Sequence, residues 1–170
     1  SPSGIIPRER VFRLLDDSLK KSVTWVAGPA GSGKTSLVSS YLVARGLSHL
    51  WYSIDAGDAD LSAFFYYMGL AARKAAPRFT NPLPPLTPEY VLGIPVFTQR
   101  YFEELYRRLK PPHIIVLDNY QEVPAQSRFH EIVRIGLSSA PEGIRVIVLS
   151  RNAAPRNLVR LRANSRISLL

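Results

Sequence analysis

The stretch VAGPAGSGKTS, residues 26–36, places three glycines, a lysine and a threonine at the end of the apolar run SVTWVA. An extended apolar segment thus passes straight into a segment with unusual backbone freedom. Gly28, Gly31 and Gly33 punctuate it, and the residues after Gly33 regain a helical apolar spacing. Glycines at such a hand-over let successive backbone N–H groups turn to one side with no side chain in the way. The spacing over residues 28–35 is G-x-x-x-x-G-K-[ST], which makes this a phosphate-cradling loop.

In that reading Gly28, Pro29, Ala30, Gly31, Ser32, Gly33, Lys34, Thr35 and Ser36 form the nucleotide-binding loop. The Lys34 ammonium reaches the β- and γ-phosphates, and the Thr35 hydroxyl is offered to Mg²⁺. A helix starting near Gly33 turns its positive end toward the anion.

The rest of the chain alternates short apolar runs with segments of helical period. Residues 23–27, 49–54, 113–118 and 145–150 are expected as strands. HIIVLD and RVIVLS are apolar on consecutive residues, as strands buried on both faces of a parallel sheet are. Helices are expected from Gly33 to about Arg45 and from about Leu61, with Asp60 as its N-cap. Two more carry Phe97, Tyr101, Phe102, Leu105 and Leu109, and Phe129, Ile132, Val133 and Leu137. Strand and helix alternate, so the fold class is α/β. Residues 77–90 hold five prolines without periodicity and read as a loop.

A parallel sheet gathers its strand ends on one side, and HIIVLDNY brings a carboxylate there: Asp118 is the second candidate for the Mg²⁺ side of the site. The next residue is Asn119, which cannot take a proton from an attacking water. Glu122, one turn on, is the substitute candidate for that task, against a plain surface role. RVIVLSRN ends in Arg151. If this strand lies between the loop strand and the Asp118 strand, its guanidinium opens onto the γ-phosphate. The catalytic candidates are therefore Lys34, Asp118, Arg151 and Glu122. Arg8, just ahead of the first helix, is a weaker candidate for a nucleotide contact.

Composition narrows the setting. The 170 residues suit one domain with a sizeable core, and 46% hydrophobic residues is ordinary for a globular chain. No apolar run approaches a bilayer span, no secretory leader pattern opens the chain, and cysteine is absent; the expected setting is cytoplasmic and reducing. His49, His113 and His130 have no metal-ligand spacing. Basic residues exceed acidic by nine, and from Gly143 onward there are six arginines and no carboxylate. Such a stretch calls for an anionic or acidic neighbour, with direct DNA binding the lesser alternative. The start at Ser1 and the apolar end RISLL read as a piece of a longer chain.

Four segments in order, GPAGSGKTSLV, LWYSIDAGDAD, IIVLDNYQEV and RVIVLSRNAAPRNLVRLR, resemble the nucleotide-binding domain of the STAND class, the signal-transduction ATPases with numerous domains. The nearest branch is the MalT-like one, often LuxR-type transcriptional regulators. The resemblance covers nearly the whole chain. It implies an AAA-like P-loop NTPase three-layer sandwich with a five-stranded parallel sheet in the order 5-1-4-3-2 and helices on both faces. It also implies an ATP- or ADP-bound switch with Mg²⁺, and possible ATP-dependent self-association. Winged-helix, helical-repeat sensor and effector domains would follow. It assigns Lys34 to the γ-phosphate, Thr35 and Asp118 to Mg²⁺, Arg151 to sensing the γ-phosphate and Arg8 to an N-terminal nucleotide contact. Asp55 and Asp58 match an acidic segment without a catalytic role. Asn119 departs from the pattern, where the branch commonly has a second aspartate, and the departure bears on hydrolysis rather than binding.

Two other function classes stand beside the switch. A P-loop kinase acting on a small molecule or polynucleotide needs a mobile basic lid, and residues 77–90 hold a single arginine. A non-hydrolysing interaction module needs only the fold. No N-K-x-D base-reading motif is present, a mild preference for adenine over guanine.

Overall fold

The computed structural model describes residues 8–90 and 92–159, and residues 164–168 in backbone. Among the six arginines from Gly143 onward, Arg160 and Arg162 lie outside the described residues, as do the final residues of RISLL.

Four apolar segments form the strands β1 (Val23–Ala27), β2 (His49–Ser53), β3 (His113–Asp118) and β4 (Ile144–Ser150). The parallel core runs in the order 1-4-3-2, and a fifth strand, β5 (Asn164–Ser168), pairs in parallel with the outer edge of β1. Every residue of β3 is buried, as expected for a strand covered on both faces. Against the sequence expectation β2 stops one residue early, and Ile54 leaves the ladder yet still donates its N–H to the Asp118 carbonyl. β4 begins one residue earlier than expected.

Alternation along the strands divides the core in two. Val23 and Trp25, Ile115 and Leu117, and Val146 and Val148 face one side. Val26, Ile114, Val116, Ile147 and Leu149 face the other. The first side is covered by α3 (Leu61–Ala75), α4 (Ile94–Arg108) and α5 (Phe129–Ser138), and the second by α1 (Arg8–Ser18) and α2 (Lys34–Ala44). Helices therefore lie on both faces. A short α6 (Arg156–Val159), not anticipated from the sequence, buries Leu158 against the first face.

The larger face is held by aromatic packing. Phe64 meets Phe129 edge-on at 5.0 Å, and Phe65 meets Phe97 at 4.9 Å. Phe64 is fully buried, so its truncation to alanine costs about 3–5 kcal/mol. α5 approaches α4 closely at Gly136: a Cβ there would stand 2.6 Å from the Phe102 ring, and the Tyr106 hydroxyl donates to the Gly136 carbonyl at 2.6 Å. On the smaller face Asp16 accepts from the Tyr41 hydroxyl and from Arg45, tying α1 to α2.

The cap expected from sequence, Asp60, is present. Asp60 accepts from the Ser62 N–H at 3.1 Å and starts α3. Residues 77–90 form no regular element apart from a 3-10 turn at Pro88–Tyr90.

Candidate functional site

The ladder register brings the site together. Ala27 pairs with Ser150 and Leu117 with Val148, so the loop after β1, the end of β3 and the residue after β4 emerge side by side. Gly28 is anchored there by its N–H bond to the Ser150 carbonyl at 3.2 Å. The order 1-4-3-2 puts β4 between the loop strand and the Asp118 strand. That is the condition under which Arg151 faces the loop.

The loop takes the backbone shape its glycines permit. Gly31 and Gly33 have φ of 78° and 82°, a left-handed region that carries a penalty for residues with a Cβ. A Cβ at either position would find nothing within 4 Å. Space is open beside both, so their requirement is conformational on the protein side and leaves the concave face free. Helix α2 starts at Lys34, one residue later than expected, with Gly33 as an N-cap that offers no side-chain bond. The first-turn N–H groups have no partner within the helix and stand ready for an anion.

Lys34 folds over this loop. Its ammonium donates to the Gly28 carbonyl at 2.5 Å, the Pro29 carbonyl at 2.9 Å and the Ser32 hydroxyl at 3.3 Å. Desolvation lowers its pKa from the usual lysine value; Asp118 pulls it back up and Arg151 adds to the lowering. Lysine, aspartate and arginine thus share one electrostatic field. The Thr35 hydroxyl donates to Asp118 Oδ2 at 2.9 Å, across 83 residues of sequence. Asp118 is buried, and its Oδ1 accepts the Asn119 N–H at 2.8 Å. A hydroxyl and a carboxylate held together in this way form an oxygen-only donor pair suited to a hard divalent cation.

These groups open onto a cavity of about 390 Å³ lined by Ala30, Gly31, Gly33, Lys34, Thr35, Ser36, Asp118, Asn119, Gln121, Glu122 and Arg151. Of the residues singled out from sequence, Gly28, Pro29 and Ser32 belong to the loop but not to the cavity lining. Arg8 is exposed, opens α1 instead of preceding it, and does not line this cavity. Glu122 lies at the cavity edge, exposed, accepting from Gln121 Nε2 at 3.3 Å.

Asn119 shows a feature the sequence alone did not reveal. Its backbone is left-handed, φ 58° and ψ 40°, and it starts a 3-10 turn at Tyr120–Glu122. Asparagine tolerates this region better than most side chains. Its Nδ2 donates to the Ser53 hydroxyl on β2 at 3.1 Å, on the side of β3 away from β4.

Gln121 was also missed. Its Oε1 accepts the backbone N–H of Arg151 at 3.1 Å, bridging the turn after β3 to the end of β4. Trp25 Nε1 donates to the Asn152 carbonyl at 2.9 Å, and the Asn152 N–H donates to the Ser150 hydroxyl at 3.1 Å. Three bonds therefore fix the backbone that carries Arg151. Beneath the turn the buried Tyr120 ring meets Trp25 at 5.1 Å, and its hydroxyl lies 2.8 Å from His130 Nδ1 while His130 Nε2 lies 2.8 Å from the Pro124 carbonyl. The carbonyl can only accept, so Nε2 carries the proton and Nδ1 accepts from the tyrosine. His130 is a support of the turn.

Asp55 and Asp58 serve structure. Together they close a capping box on the 3-10 turn at Ala56–Ala59, and the buried Asp58 accepts from the Tyr52 hydroxyl at 2.5 Å. Desolvation raises the Asp58 carboxyl above the usual carboxylate range.

No protein-family model matches the chain. Among solved structures the fold is similar to that of the Orc1 protein of Aeropyrum pernix, determined in complex with DNA, with a TM-score of 0.56 and 16% identity. The match covers 99% of this chain and 46% of that one, so the chain spans less than half the length of Orc1. At this identity the likeness is one of fold alone, an α/β fold with a parallel sheet and helices packed on it. Among the described residues no helix is long and apolar enough to cross a membrane.

Proposed function

We propose that this chain is an ATP/ADP-binding switch domain with slow or impaired hydrolysis, of the STAND-type, MalT-like kind its sequence resembles, working within a larger regulator. The observation that carries the reading is the hydrogen bond from Thr35 to Asp118 at 2.9 Å beside the glycine loop and Lys34. Two elements far apart in sequence meet at the place where a phosphate chain and its metal need both.

The residues present fit the nucleotide and Mg²⁺. The open faces of Gly31 and Gly33 leave room for phosphates, and Lys34 and the N-terminus of α2 supply positive potential. Thr35 and Asp118 would hold Mg²⁺, which when bound neutralises phosphate charge. In this reading Arg151 would meet the terminal phosphate that distinguishes ATP from ADP; supporting it, Arg151 lines the cavity and Gln121 and Trp25 hold its backbone. Arg8 is exposed and outside the cavity lining, so its nucleotide contact rests on the resemblance alone.

Slow hydrolysis follows from what faces the cavity. Asn119 accepts no proton from water and commits its amide to Ser53. Glu122 is the remaining carboxylate, at the exposed edge. A site that binds well and turns over slowly keeps its nucleotide state long enough to signal it. Partners are then the nucleotide first, and next the domains that the resemblance implies to follow.

Calorimetric titration with Mg–ATP and Mg–ADP tests the reading. Wild type should bind both, and Arg151→Ala should lose affinity for ATP more than for ADP. Equal losses for the two nucleotides would contradict the sensor role. Phosphate transfer to an added alcohol acceptor would favour a kinase instead.

A further inference from the structure

A second cavity lies at the opposite end of the sheet. Its wall includes Ser48, just before β2, and His113, the first residue of β3, whereas the nucleotide cavity gathers at the other strand ends. It encloses about 510 Å³, a size usual for small-molecule sites. The lining holds Arg78, Arg108, Lys110 and His113 and no carboxylate, over an apolar floor that includes Leu47 and Pro111.

The cations are arranged rather than scattered. The guanidinium of Arg78 lies 4.9 Å from the Phe79 ring centre and that of Arg108 lies 5.7 Å from it, so one aromatic ring carries two positive groups. Arg108 is further fixed by its Nη1 bond to the Asn81 carbonyl at 2.6 Å. Its Nε stands 3.6 Å from Glu104, too far for a hydrogen bond.

Buried polar atoms are nearly always satisfied. Among the described residues three buried side-chain polar atoms have no hydrogen-bond partner, and two of them, Arg108 Nε and His113 Nε2, belong to residues that line this cavity, the atoms themselves being buried beneath its surface. Arg108 is 8% exposed and His113 is 5% exposed. Neither atom is used by a hydrogen bond within the protein, although Arg108 Nε keeps a long ion-pair contact with Glu104 at 3.6 Å.

Basic residues often collect at helix C-termini for a plainer reason, since the helix dipole favours them there. Helices α2, α3 and α4 all end at this cavity, and their dipoles together amount to roughly −1.5 charges. The two arginines and the lysine exceed that, and still do by a small margin once the Glu104 carboxylate 3.6 Å from Arg108 is counted. The residual field is positive within a recess that has an apolar floor.

We propose that this cavity is a second binding site, for a small multivalent anion bearing phosphate or carboxylate groups on an apolar body. A volume of about 510 Å³ suits a small molecule, and three cations with no carboxylate in the lining favour more than one negative charge. The site is separate from the nucleotide cavity, so its occupancy does not depend on the reading of that site.

Calorimetric titration of the chain with inorganic pyrophosphate and, separately, benzene-1,3,5-tricarboxylate tests this, with ADP present at saturation to occupy the P-loop. One equivalent of at least one probe should bind: pyrophosphate alone marks a phosphate site, and the tricarboxylate marks a carboxylate site that uses the apolar floor. Arg78 and Lys110 are exposed, so the double variant Arg78→Ala/Lys110→Ala should fold normally and bind at least about tenfold more weakly. Removing two equally exposed cations elsewhere, Arg10→Ala/Arg13→Ala, should leave binding unchanged. Absence of one-equivalent binding by either probe would overturn the proposal. So would unchanged binding in the Arg78→Ala/Lys110→Ala variant, or an equal loss in the Arg10/Arg13 variant.

Discussion

Replacing Asn119 by aspartate asks whether slow hydrolysis comes from a missing carboxylate or from a side chain turned the wrong way. The exchange keeps size and keeps tolerance of the left-handed backbone at φ 58°. Asn119 Nδ2 donates to the Ser53 hydroxyl at 3.1 Å; with aspartate the same hydroxyl donates back, so stability should change by less than about 1.5 kcal/mol. General-base help is worth about 10²- to 10⁴-fold when the group reaches the attacking water. Here the carboxylate would be tied to β2, on the far side of β3 from β4 and the loop strand. The gain from Asn119→Asp alone should therefore stay below about tenfold, equivalent to about 1.4 kcal/mol of barrier. Ser53→Ala/Asn119→Asp, which frees the carboxylate, should exceed it. Single-turnover ATP hydrolysis by wild type, both variants and Glu122→Gln measures this. A hundredfold rise in the single variant would refute the orientation argument. Brisk wild-type turnover abolished in Glu122→Gln would make Glu122 the base and remove Asn119 from the account.

Three further outcomes follow from named contacts. Gly33→Ala meets no neighbour within 4 Å, so its cost is the left-handed backbone, about 1–2 kcal/mol, seen as a fall in Tm of roughly 2–8 °C with weakened ATP binding; an unchanged Tm would contradict the assignment. Gln121→Ala removes the acceptor for the Arg151 N–H and should reduce the preference for ATP over ADP in calorimetry while costing only about 0.5–1.5 kcal/mol of stability; an intact preference would show that Arg151 is held without it. Burial pushes the His113 imidazole below its usual value of 6.5, so the unfolded chain takes up this proton first as pH falls. The stability tied to neutral His113 is thus present above that value and lost below it, and His113→Gln should flatten the decline in Tm between pH 7 and pH 5; an identical decline would assign it to other groups.

Much of the architecture was legible because it rests on short-range signals. Runs such as HIIVLD read as strands buried on both faces, and the glycine spacing of residues 28–35 reads as a phosphate-cradling loop. Asp60 announced the start of α3. What stayed hidden depends on contacts across the sheet. Gln121 looks like a surface residue until the 1-4-3-2 order sets it beside Arg151, 30 positions on. The choice of asparagine at 119 reads as a catalytic defect in sequence, yet its left-handed backbone supplies a conformational reason for the same residue. The nitrogens of Arg108 and His113 without a hydrogen bond are visible only once three helix ends and a strand start are brought together.

The central claim is that the loop, Thr35 and Asp118 form one phosphate and metal site with Lys34 as its charge. Calorimetric titration of Mg–ATP into wild type and Lys34→Ala tests it most directly, because Lys34 binds only local carbonyls and a hydroxyl and its loss should leave the fold intact. A charge-assisted contact to phosphate is worth about 1.5–3 kcal/mol, so Lys34→Ala should bind Mg–ATP more than about tenfold more weakly with an unaltered circular dichroism spectrum. Equal affinity in the two proteins would contradict the account.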